Sequence, residues 1–271
     1  MASKLMRSLI YLAATITFGS LFYIVGFILA KGIPYITPEM FAWKYTTDNV
    51  SLMPSLITTF IVVGMTLLIA TPLGVFTGFY LVEYAQKGNK VVEVIRIATD
   101  TLAAVPSIVY GLFGMLFFVT FLNFQYSVLA GVLTSVIMVL PLIIRSTEEA
   151  LLSVNDSLRE ASFALGAGKL RTIFRVILPV SMPGILSGVI LASGRVVGET
   201  AALLYTLGSS TNLPDSLFSS GRTLALHMYV LSSEGMHVNE SYATGVVLIV
   251  FVLMINGLST ILSNRLTKGT K

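Results

Sequence analysis

The strongest constraint on how this sequence can fold is a series of apolar runs that are nearly free of charged residues. A bilayer core about 30 Å thick is crossed by roughly 20 helical residues. Six runs of about this length occur, at approximately residues 9–30, 56–81, 97–122, 128–144, 185–206 and 242–262. Hydrophobic residues make up 55% of the chain and charged residues only 11%, which is outside the usual balance of a water-soluble domain. The sequence therefore predicts an all-α membrane protein with six transmembrane helices.

Basic residues predict the orientation of these helices, because Lys and Arg concentrate in the cytoplasmic segments of membrane proteins. With a cytoplasmic N-terminus, 13 of the 17 basic residues fall in inside segments. These are Lys4, Arg7, Lys87, Lys90, Arg96, Arg145, Arg159, Lys169, Arg171, Arg175, Arg265, Lys268 and Lys271. The outside segments hold Lys31, Lys44 and Arg222, and Arg195 lies within a span. Both termini are therefore predicted to be cytoplasmic, and the positive net charge is attributed to topology rather than to nucleic-acid binding.

The first apolar run is predicted to be a retained helix, because it is too long for the apolar core of a signal peptide. We expect residues 1–53 to form this helix and an outside loop, and residues 54–271 to form a five-helix core, with the first helix at its edge or against a partner. The outside segment 208–241 contains His227 and His237 in surroundings that offer no metal site. It is predicted to be a solvated or interfacial loop with a short amphipathic helix near residues 224–231.

Motifs of enzymatic chemistry are absent from the sequence. It contains no nucleotide-binding glycine loop, no recognisable nucleophile set and no cysteine. We therefore expect this chain to have no catalytic residue and to bind no metal and no cofactor.

The longest predicted inside segment, residues 145–182, contains a recognisable helix start. Ser157 and Glu160 match the capping-box pattern, which predicts a short helix over about residues 158–165. Gly166 and Gly168 are expected to end it, because glycine tolerates the left-handed conformation that often follows a helix. A second amphipathic helix should begin at Lys169 and be interrupted by Pro179 and Pro183 before the next span. The pattern alone is compatible with a loop anchored on the membrane surface or with a docking element for a cytoplasmic partner.

This segment resembles the EAA loop of ABC importer permeases, whose pattern is Glu-Ala-Ala, three residues, Gly, nine residues, Ile, one residue, Leu-Pro. Five residues match the pattern at the expected spacing: Glu160, Ala161, Gly166, Leu178 and Pro179. Ser162 replaces the second alanine and Val176 replaces the isoleucine. The resemblance implies a type I ABC importer permease fold with its EAA loop at residues 146–183. It also implies that residues 157–170, including Arg159, form the cytoplasmic coupling helix that docks on an ATPase subunit.

Charged residues inside the membrane are costly and therefore point to function. Arg195 and Glu199 are four residues apart in the fifth span, a spacing that places them on one face of a continuous helix. They could form an internal ion pair that assists packing. Alternatively, both could line a transport pathway, with Arg195 donating hydrogen bonds to an oxyanion. Glu199 could then accept a proton from hydrogen phosphate, which fully ionised sulfate cannot supply.

The stretches RVVGETAALL, VPSIVYGLFG and LREASFALGA are similar to the PstA permease subunits of phosphate-specific ABC importers. This resemblance implies a phosphate pathway that includes Arg195, Glu199 and Thr200. It further implies a PstC-type permease partner, two PstB-type ATPase subunits that hold ATP and Mg, a PstS-type phosphate-binding protein and a prokaryotic inner-membrane location. A permease for sulfate or molybdate, or a secondary transporter independent of an ATPase, are the alternatives.

Charged residues also stand at the ends of other spans. Arg96 and Asp100 open the third span, and Pro106 is expected to bend it. Snorkelling and a local pair between Arg96 and Asp100 would account for their charges, and a gating role for these residues and Pro106 is the alternative. Glu83 and Arg145 end the second and fourth spans and are expected at the membrane interface.

Overall fold

The computed structural model describes residues 2–86 and 88–268, with side chains for residues 6–86 and 88–261. Five of the basic residues used above to orient the chain lie outside the described side chains: Lys4, Lys87, Arg265, Lys268 and Lys271. The regular elements in the described part of the chain are all helical. They are α1 (Ala2–Gly32), α2 (Met53–Phe79), α3 (Lys90–Ala104), α4 (Ser107–Gly114), α5 (Val128–Leu152), α6 (Asp156–Ala164), α7 (Lys169–Thr172), α8 (Leu178–Val197), α9 (Ala201–Leu204), α10 (Leu224–Glu234) and α11 (Val238–Lys268).

Three stretches of π-helix and two short 3-10 turns complete these elements. The π stretches are Tyr80–Tyr84 after α2, Met115–Phe121 after α4, and Ile173–Ile177 between α7 and α8. The 3-10 turns, Ile33–Tyr35 and Pro38–Phe41, follow α1. The π stretches extend α2 and α4 and join α7 to α8 without a break.

Within the described residues, five helices are long and apolar enough to cross a membrane. They cover Met6–Tyr35, Met53–Tyr84, Val128–Leu152, Lys169–Val197 and Val238–Ile261. A further pair, Lys90–Ala104 and Ser107–Phe121, passes the same test as one unit bent by 104°. The predicted all-α membrane architecture is confirmed, with five spans or six if the bent pair counts as one.

The third span is bent at Pro106, as the sequence predicted, but the bend is a full break between two helices. Val105 and Pro106 are both extended, with ψ angles of 131° and 143°, and they separate α3 from α4. A proline disfavours the helical conformation of the residue before it and lacks the N–H that would continue the ladder. Because of this break, Arg96 and Asp100 lie on a separate amphipathic helix, α3, before the bend.

The fifth span also differs from its prediction. Pro179 and Pro183 do not interrupt the chain, which stays helical from Lys169 to Val197. Pro179 falls in the first turn of α8 after the π stretch, where a missing N–H is tolerated. The helix ends at Val197, whereas the sequence predicted a span reaching residue 206.

Glycines allow α5 to contact α2 and α8 closely. A Cβ added at Gly78 of α2 would clash with Cβ of Thr147 at 2.7 Å, and one added at Gly188 of α8 would clash with Cβ of Ser146 at 2.3 Å. Small residues at such positions let membrane helices approach closely. In the most apolar stretch of α5, 67% of the residues are buried, whereas none are buried in the corresponding stretch of α1. Helix α5 is therefore the centre of the bundle. Helix α1 lies at its edge and packs on α11, with Phe27 edge-on to Tyr242 at 5.8 Å.

The bundle has two ends, which are named here after the short helices that lie there. The α6 end is defined by α6 and the last residues of α2 and α5. The α10 end is defined by α10 and the first residues of α2 and α5. The segment before α10 is held at this end, because Leu224 N–H donates to Thr59 Oγ1 at 2.8 Å and Val128 N–H donates to Ser219 O at 3.0 Å.

The helix predicted near residues 224–231 is present as α10, but it is not solvated. Leu224, Leu226, His227 and Leu231 are buried in contact with α2 and α11. The expectation of a surface loop is wrong here because apolar residues on several sides of α10 are covered by neighbouring spans.

Candidate functional site

Helix α6 begins two residues earlier than its sequence pattern indicated. The side chain of Asn155 accepts a hydrogen bond from Ser157 N–H at 3.0 Å, and Asp156 occupies the first turn. The N-cap is therefore Asn155, and the predicted capping box of Ser157 with Glu160 does not form. Asn155 is the N-cap because its backbone has the extended conformation of a cap residue, whereas Ser157 lies inside the helix.

Gly166 ends α6 as the sequence predicted. Its φ is +79°, and its N–H donates to Phe163 O while Ala167 N–H donates to Ser162 O. These two bonds form a Schellman motif, which needs a left-handed residue at this position. The motif reverses the chain into α7 and makes α6 and α7 a compact helical pair.

Arg159 fixes this pair to the spans. Its guanidinium donates to Glu83 Oε1 from Nε at 3.2 Å and from Nη2 at 3.0 Å. It also donates to Asp156 Oδ1, Val154 O and Leu151 O, each at 2.9 Å. The side chains of Arg159 and Glu83 are only 16% and 10% exposed. One side chain thus joins α6 to the ends of α2 and α5, and it pairs with the carboxylate of Glu83.

Ser162, at the second alanine position of the motif, links α6 to α7. Its hydroxyl lies 2.9 Å from Thr172 Oγ1, and both residues are buried. Leu178 and Pro179 begin α8 directly above this contact. The opposite side of α6 is exposed and is called the outer face of α6: Glu160, Ala161, Phe163, Ala164 and Leu165. The structure therefore separates the motif into residues that hold the pair together and residues left free on its surface.

Charged residues of α3 pair with α5 and not with each other. Arg96 Nη2 lies 3.0 Å from Glu148 Oε1, and Arg145 Nη1 lies 3.0 Å from Asp100 Oδ1. Arg145 also reaches Glu149 at 3.4 Å. The predicted local pair of Arg96 with Asp100 is wrong, because α3 lies alongside α5. Most of these side chains are half exposed, so each pair contributes at most about 1 kcal/mol to stability.

Arg195 and Glu199 do not share a helical face. Helix α8 ends at Val197, and Glu199 lies in the break before α9. Its carboxylate is 8% exposed and accepts a hydrogen bond from Ala202 N–H at 3.0 Å, so it holds the start of α9. Among the described side chains Arg195 forms no ion pair with Glu199 or with another carboxylate. The expectation based on a continuous helix, including the internal ion pair, is therefore wrong.

Arg195 lies about halfway across the bundle. Gly184 packs on Ala150 and Gly188 packs on Ser146, so α8 runs antiparallel to α5. Arg195 is seven residues, about 10 Å, beyond Gly188, which brings it level with the middle of α5. There it lines a largely open cavity of about 710 Å³ between α5, α8 and α11, together with the polar side chains of Ser187, Asn256 and Thr260.

Thr200, the third predicted pathway residue, lines a different cavity. This cavity has a volume of about 480 Å³ and lies among α1, α4, α9, α10 and α11. Its polar side chains are Thr200, Tyr205, Tyr229, Ser232 and Ser241, with Tyr242 beside them. The three residues predicted as one pathway are thus in three settings: Arg195 in one cavity, Thr200 in another, and Glu199 buried between them.

Sequence reasoning missed a buried basic cluster at the α10 end. Arg222 is 3% exposed, its guanidinium lies 5.1 Å from the ring centroid of Tyr45, and its Nε and Nη2 have no hydrogen-bond partner in the described part of the chain. His227 is fully buried, edge-on to Tyr45 at 6.1 Å. Nothing in the sequence signals this, because a single arginine in a polar segment normally indicates solvent exposure. The cation–π contact with Tyr45 is the interaction that offsets part of the cost of burying the Arg222 charge.

His227 is expected to make the protein sensitive to acid. Burial, and secondarily the charge of Arg222, lower the pKa of His227 from 6.5 to about 3. Because the folded pKa is below the unfolded one, its stability contribution is complete above about pH 6.5 and is lost as the pH falls toward 3. Between pH 7 and pH 5 the loss is about 2 kcal/mol. Thermal unfolding of the detergent-solubilised complex at both pH values should show a smaller pH effect in His227→Phe.

The matched control for this prediction is His237→Asn, since His237 is partly exposed and close to Glu240. This substitution should leave the pH dependence unchanged. An identical pH dependence in His227→Phe and the unsubstituted protein would contradict the prediction.

The fold and the two sites define a class of protein. A bundle of apolar spans carries an arginine about halfway across it, and a helical pair with an exposed outer face lies at one end. The chain belongs to the family described as binding-protein-dependent transport system inner membrane component, which matches residues 70–269. It is therefore an inner-membrane permease subunit of an ABC transport system, and membership of the family implies ATPase and binding-protein partners.

Several relatives are similar over most of the chain. The probable ABC transporter permease protein YqgI of Bacillus subtilis is 34% identical over 97% of each chain. The phosphate transport system permease protein PstA of Haemophilus influenzae is 32% identical over 94% of this chain and 91% of its own length. PstA 1 of Mycobacterium tuberculosis is 39% identical over 73% of this chain and 66% of its own length.

Solved structures support the same fold. A chain of a bacterial ABC transporter that imports the acidic polysaccharide alginate superposes with a TM-score of 0.68 at 14% identity, covering 98% of both chains. A chain of the inward-facing MetNI methionine ABC transporter superposes with a TM-score of 0.60 at 20% identity, covering 80% of this chain and 94% of that one. The predicted type I ABC importer permease fold is thereby confirmed.

Proposed function

We propose that this chain is the PstA-type permease subunit of an ATP-driven importer of inorganic phosphate. The observation that carries the proposal is the position of Arg195, which is halfway across the bundle, in a cavity, and without a carboxylate partner among the described residues. An unpaired arginine at that depth needs an anion or a polar pathway beside it. The relatives named as phosphate transport permeases supply the identity of the anion.

Arg195 would act as the anion-binding group of the pathway. Its guanidinium is charged at every physiological pH and presents planar donors that match the oxygens of a tetrahedral oxyanion. The same charge would repel cations. Glu199 would act indirectly, because its carboxylate holds Ala202 N–H and keeps the helix broken between Val197 and Ala201. Thr200 would line the neighbouring cavity on the other side of this break.

Coupling would run through a rigid lever. The helix from Lys169 to Val197 is continuous, so α7 of the helical pair and Arg195 are parts of one element. The 26 residues from Lys169 to Arg195 span about 39 Å. When the ATPases close, movement at the outer face of α6 would pass through Arg159 to α2 and α5 and along this lever to the cavity. The pairs of Arg96 with Glu148 and of Arg145 with Asp100 would carry α3, and with it Pro106, along with α5.

The assembly implied is a pair of permeases on two ATPases. We infer a PstC-type permease partner, two PstB-type ATPase subunits and a PstS-type phosphate-binding protein. ATP and Mg would be bound and ATP hydrolysed only on the ATPases, and this chain would bind no cofactor and no nucleic acid. In this arrangement the α6 end and both termini face the cytoplasm, and the α10 end faces the binding protein. The five-helix core begins near residue 54, with α1 at its edge.

The proposal is tested by ATP hydrolysis and anion uptake of the complex that co-purifies with the tagged chain, reconstituted with its binding protein. Phosphate alone is expected to stimulate hydrolysis and to be taken up. Stimulation by sulfate or molybdate instead would keep the ABC architecture and overturn the phosphate assignment. An intact complex without ATPase activity would overturn the whole proposal.

Substitution of Arg195 provides the sharpest test of the pathway. Arg195→Gln is expected to lower phosphate uptake by about 10- to 100-fold, because a charge-assisted hydrogen bond contributes about 1.5–3 kcal/mol. Arg195→Lys should retain part of the activity, since the charge remains but the planar donor pair is lost. Arg7→Gln, an exposed residue of α1, serves as the control and should transport normally. Normal uptake by Arg195→Gln would exclude Arg195 from the pathway.

A further inference from the structure

Asn256 of α11 shares the cavity of Arg195. Both side chains line the 710 Å³ space between α5, α8 and α11. Asn256 Oδ1 is enclosed, yet it has no hydrogen-bond partner among the described residues. A buried carboxamide oxygen without a partner is costly, so its retention between apolar neighbours such as Ile255 and Leu258 requires an explanation.

The other polar side chain of α11 in this cavity is already committed. Thr260 Oγ1 donates to the backbone oxygen of Asn256 at 2.8 Å, which satisfies the hydroxyl within its own helix. Thr260 therefore makes no hydrogen bond to the side-chain carboxamide of Asn256. Asn256 is the group of α11 with hydrogen-bonding capacity left, and rotation of its carboxamide would turn the oxygen toward the cavity.

The chemistry of the two groups is complementary. Arginine can only donate hydrogen bonds, whereas a carboxamide can both donate and accept. Phosphate near neutral pH keeps at least one proton, so it offers a donor as well as acceptors, and sulfate offers acceptors only. Arg195 can donate to the oxygens of a protonated tetrahedral oxyanion, and Asn256 can accept a hydrogen bond from its O–H. A fully ionised oxyanion leaves the acceptor of Asn256 unpaired.

Glu199 cannot fill this role from where it lies. Its carboxylate accepts from Ala202 N–H and is buried beyond the end of α8, outside the cavity that Arg195 lines. The acceptor that the sequence placed beside Arg195 is thus absent from that position. Asn256, which is 61 residues after Arg195 in the chain, is the acceptor that the fold brings into this cavity.

We propose that Asn256 is the specificity-determining residue of this pathway and selects singly or doubly protonated tetrahedral oxyanions, such as hydrogen phosphate, over fully ionised ones such as sulfate. This inference rests on the proposed function, because it requires Arg195 to meet an anion. It goes further by naming the residue that accepts a hydrogen bond from the protonated anion. It also assigns this role to α11 rather than to the segment after α8.

The test measures anion protection of Arg195 in the complete permease–ATPase complex without its binding protein, so that selection by the binding protein does not interfere. Phenylglyoxal modifies exposed guanidinium groups, and mass spectrometry of the peptide that contains Arg195 reports its modification alone. In the unsubstituted complex, phosphate is expected to protect Arg195 at about a tenfold lower concentration than sulfate, or lower still, which is the effect of leaving one buried acceptor unpaired.

Three variants separate selection from structure. Asn256→Leu, which has no acceptor, should bring the phosphate and sulfate concentrations for half-protection together. Asn256→Asp keeps an acceptor and should retain the preference for phosphate, although its charge weakens protection by both anions. Thr260→Val removes a hydroxyl from the same cavity and should leave the preference unchanged.

Two outcomes bear on the role of Asn256, and a third bears on the proposed pathway. An unchanged preference in Asn256→Leu would overturn the role of Asn256 while leaving the function of the chain intact. A preference lost equally in Asn256→Leu and Asn256→Asp would also overturn it, because the acceptor would then not matter. Failure of both anions to protect Arg195 in the unsubstituted complex would overturn the proposed pathway itself, and the specificity proposal with it.

Discussion

Replacement of Arg159 by alanine is expected to abolish ATP-coupled uptake while the spans remain folded. The guanidinium makes hydrogen bonds to Glu83, Asp156, Val154 O and Leu151 O. Its loss leaves the largely buried carboxylate of Glu83 and two carbonyl oxygens without these partners. Removing one member of a buried pair typically costs about 3–5 kcal/mol. A helix as short as α6 cannot hold its place against a cost of that size without this anchor.

The measurement is the amount of ATPase subunit that co-purifies with Arg159→Ala, together with the phosphate-stimulated hydrolysis of the complex. Arg171→Ala is the matched control, because Arg171 is exposed on α7 of the same helical pair. It should have a much smaller effect. The double variant Arg159→Met with Glu83→Leu should recover part of the association, since an apolar pair leaves no buried charge uncompensated. Full coupling in Arg159→Ala would show that α6 is held by other contacts.

Gly188→Ala should prevent normal packing of α8 on α5. The added Cβ would lie 2.3 Å from Ser146 Cβ and 2.7 Å from Ser146 Oγ, which is closer than side chains can approach. Overpacking in a close-packed interior costs about 1–3 kcal/mol and shifts the backbone. A shift here would displace the lever that joins the docking pair to Arg195. The expected result is a lower midpoint of thermal unfolding and reduced phosphate uptake.

A compensating change tests the geometry of this contact. The close atoms around Gly188 all belong to Ser146, so Gly188→Ala combined with Ser146→Gly should restore the unfolding midpoint and uptake. Gly64→Ala is the control for the substitution itself, because a Cβ at that position meets nothing within 4 Å. If the double variant is no better than Gly188→Ala alone, the contact between Gly188 and Ser146 does not set the spacing of these helices.

Features that depend on neighbouring residues in the sequence were predicted correctly, whereas features that depend on the folded conformation were not. The spans were predictable, because about 20 consecutive apolar residues have few alternatives in a bilayer. Gly166 was predictable as the end of α6, because a left-handed residue is needed there whatever surrounds it. The start of α6 was misassigned, since Ser157 and Asn155 are both good caps and their local conformation decides between them.

By itself the sequence determined what local chemistry controls: the apolar runs, the turn at Gly166, the spacing of the docking motif and the presence of one arginine inside a span. The tertiary structure alone decided which groups meet. It paired Arg159 with Glu83 and Arg96 with Glu148, buried Arg222 and His227 against Tyr45, and placed Asn256 rather than Glu199 in the cavity that Arg195 lines. The physical reason is that an apolar run or a turn is specified by neighbouring residues. The partner and burial of a polar side chain depend on residues far away in the chain, which only the packed helices bring within reach.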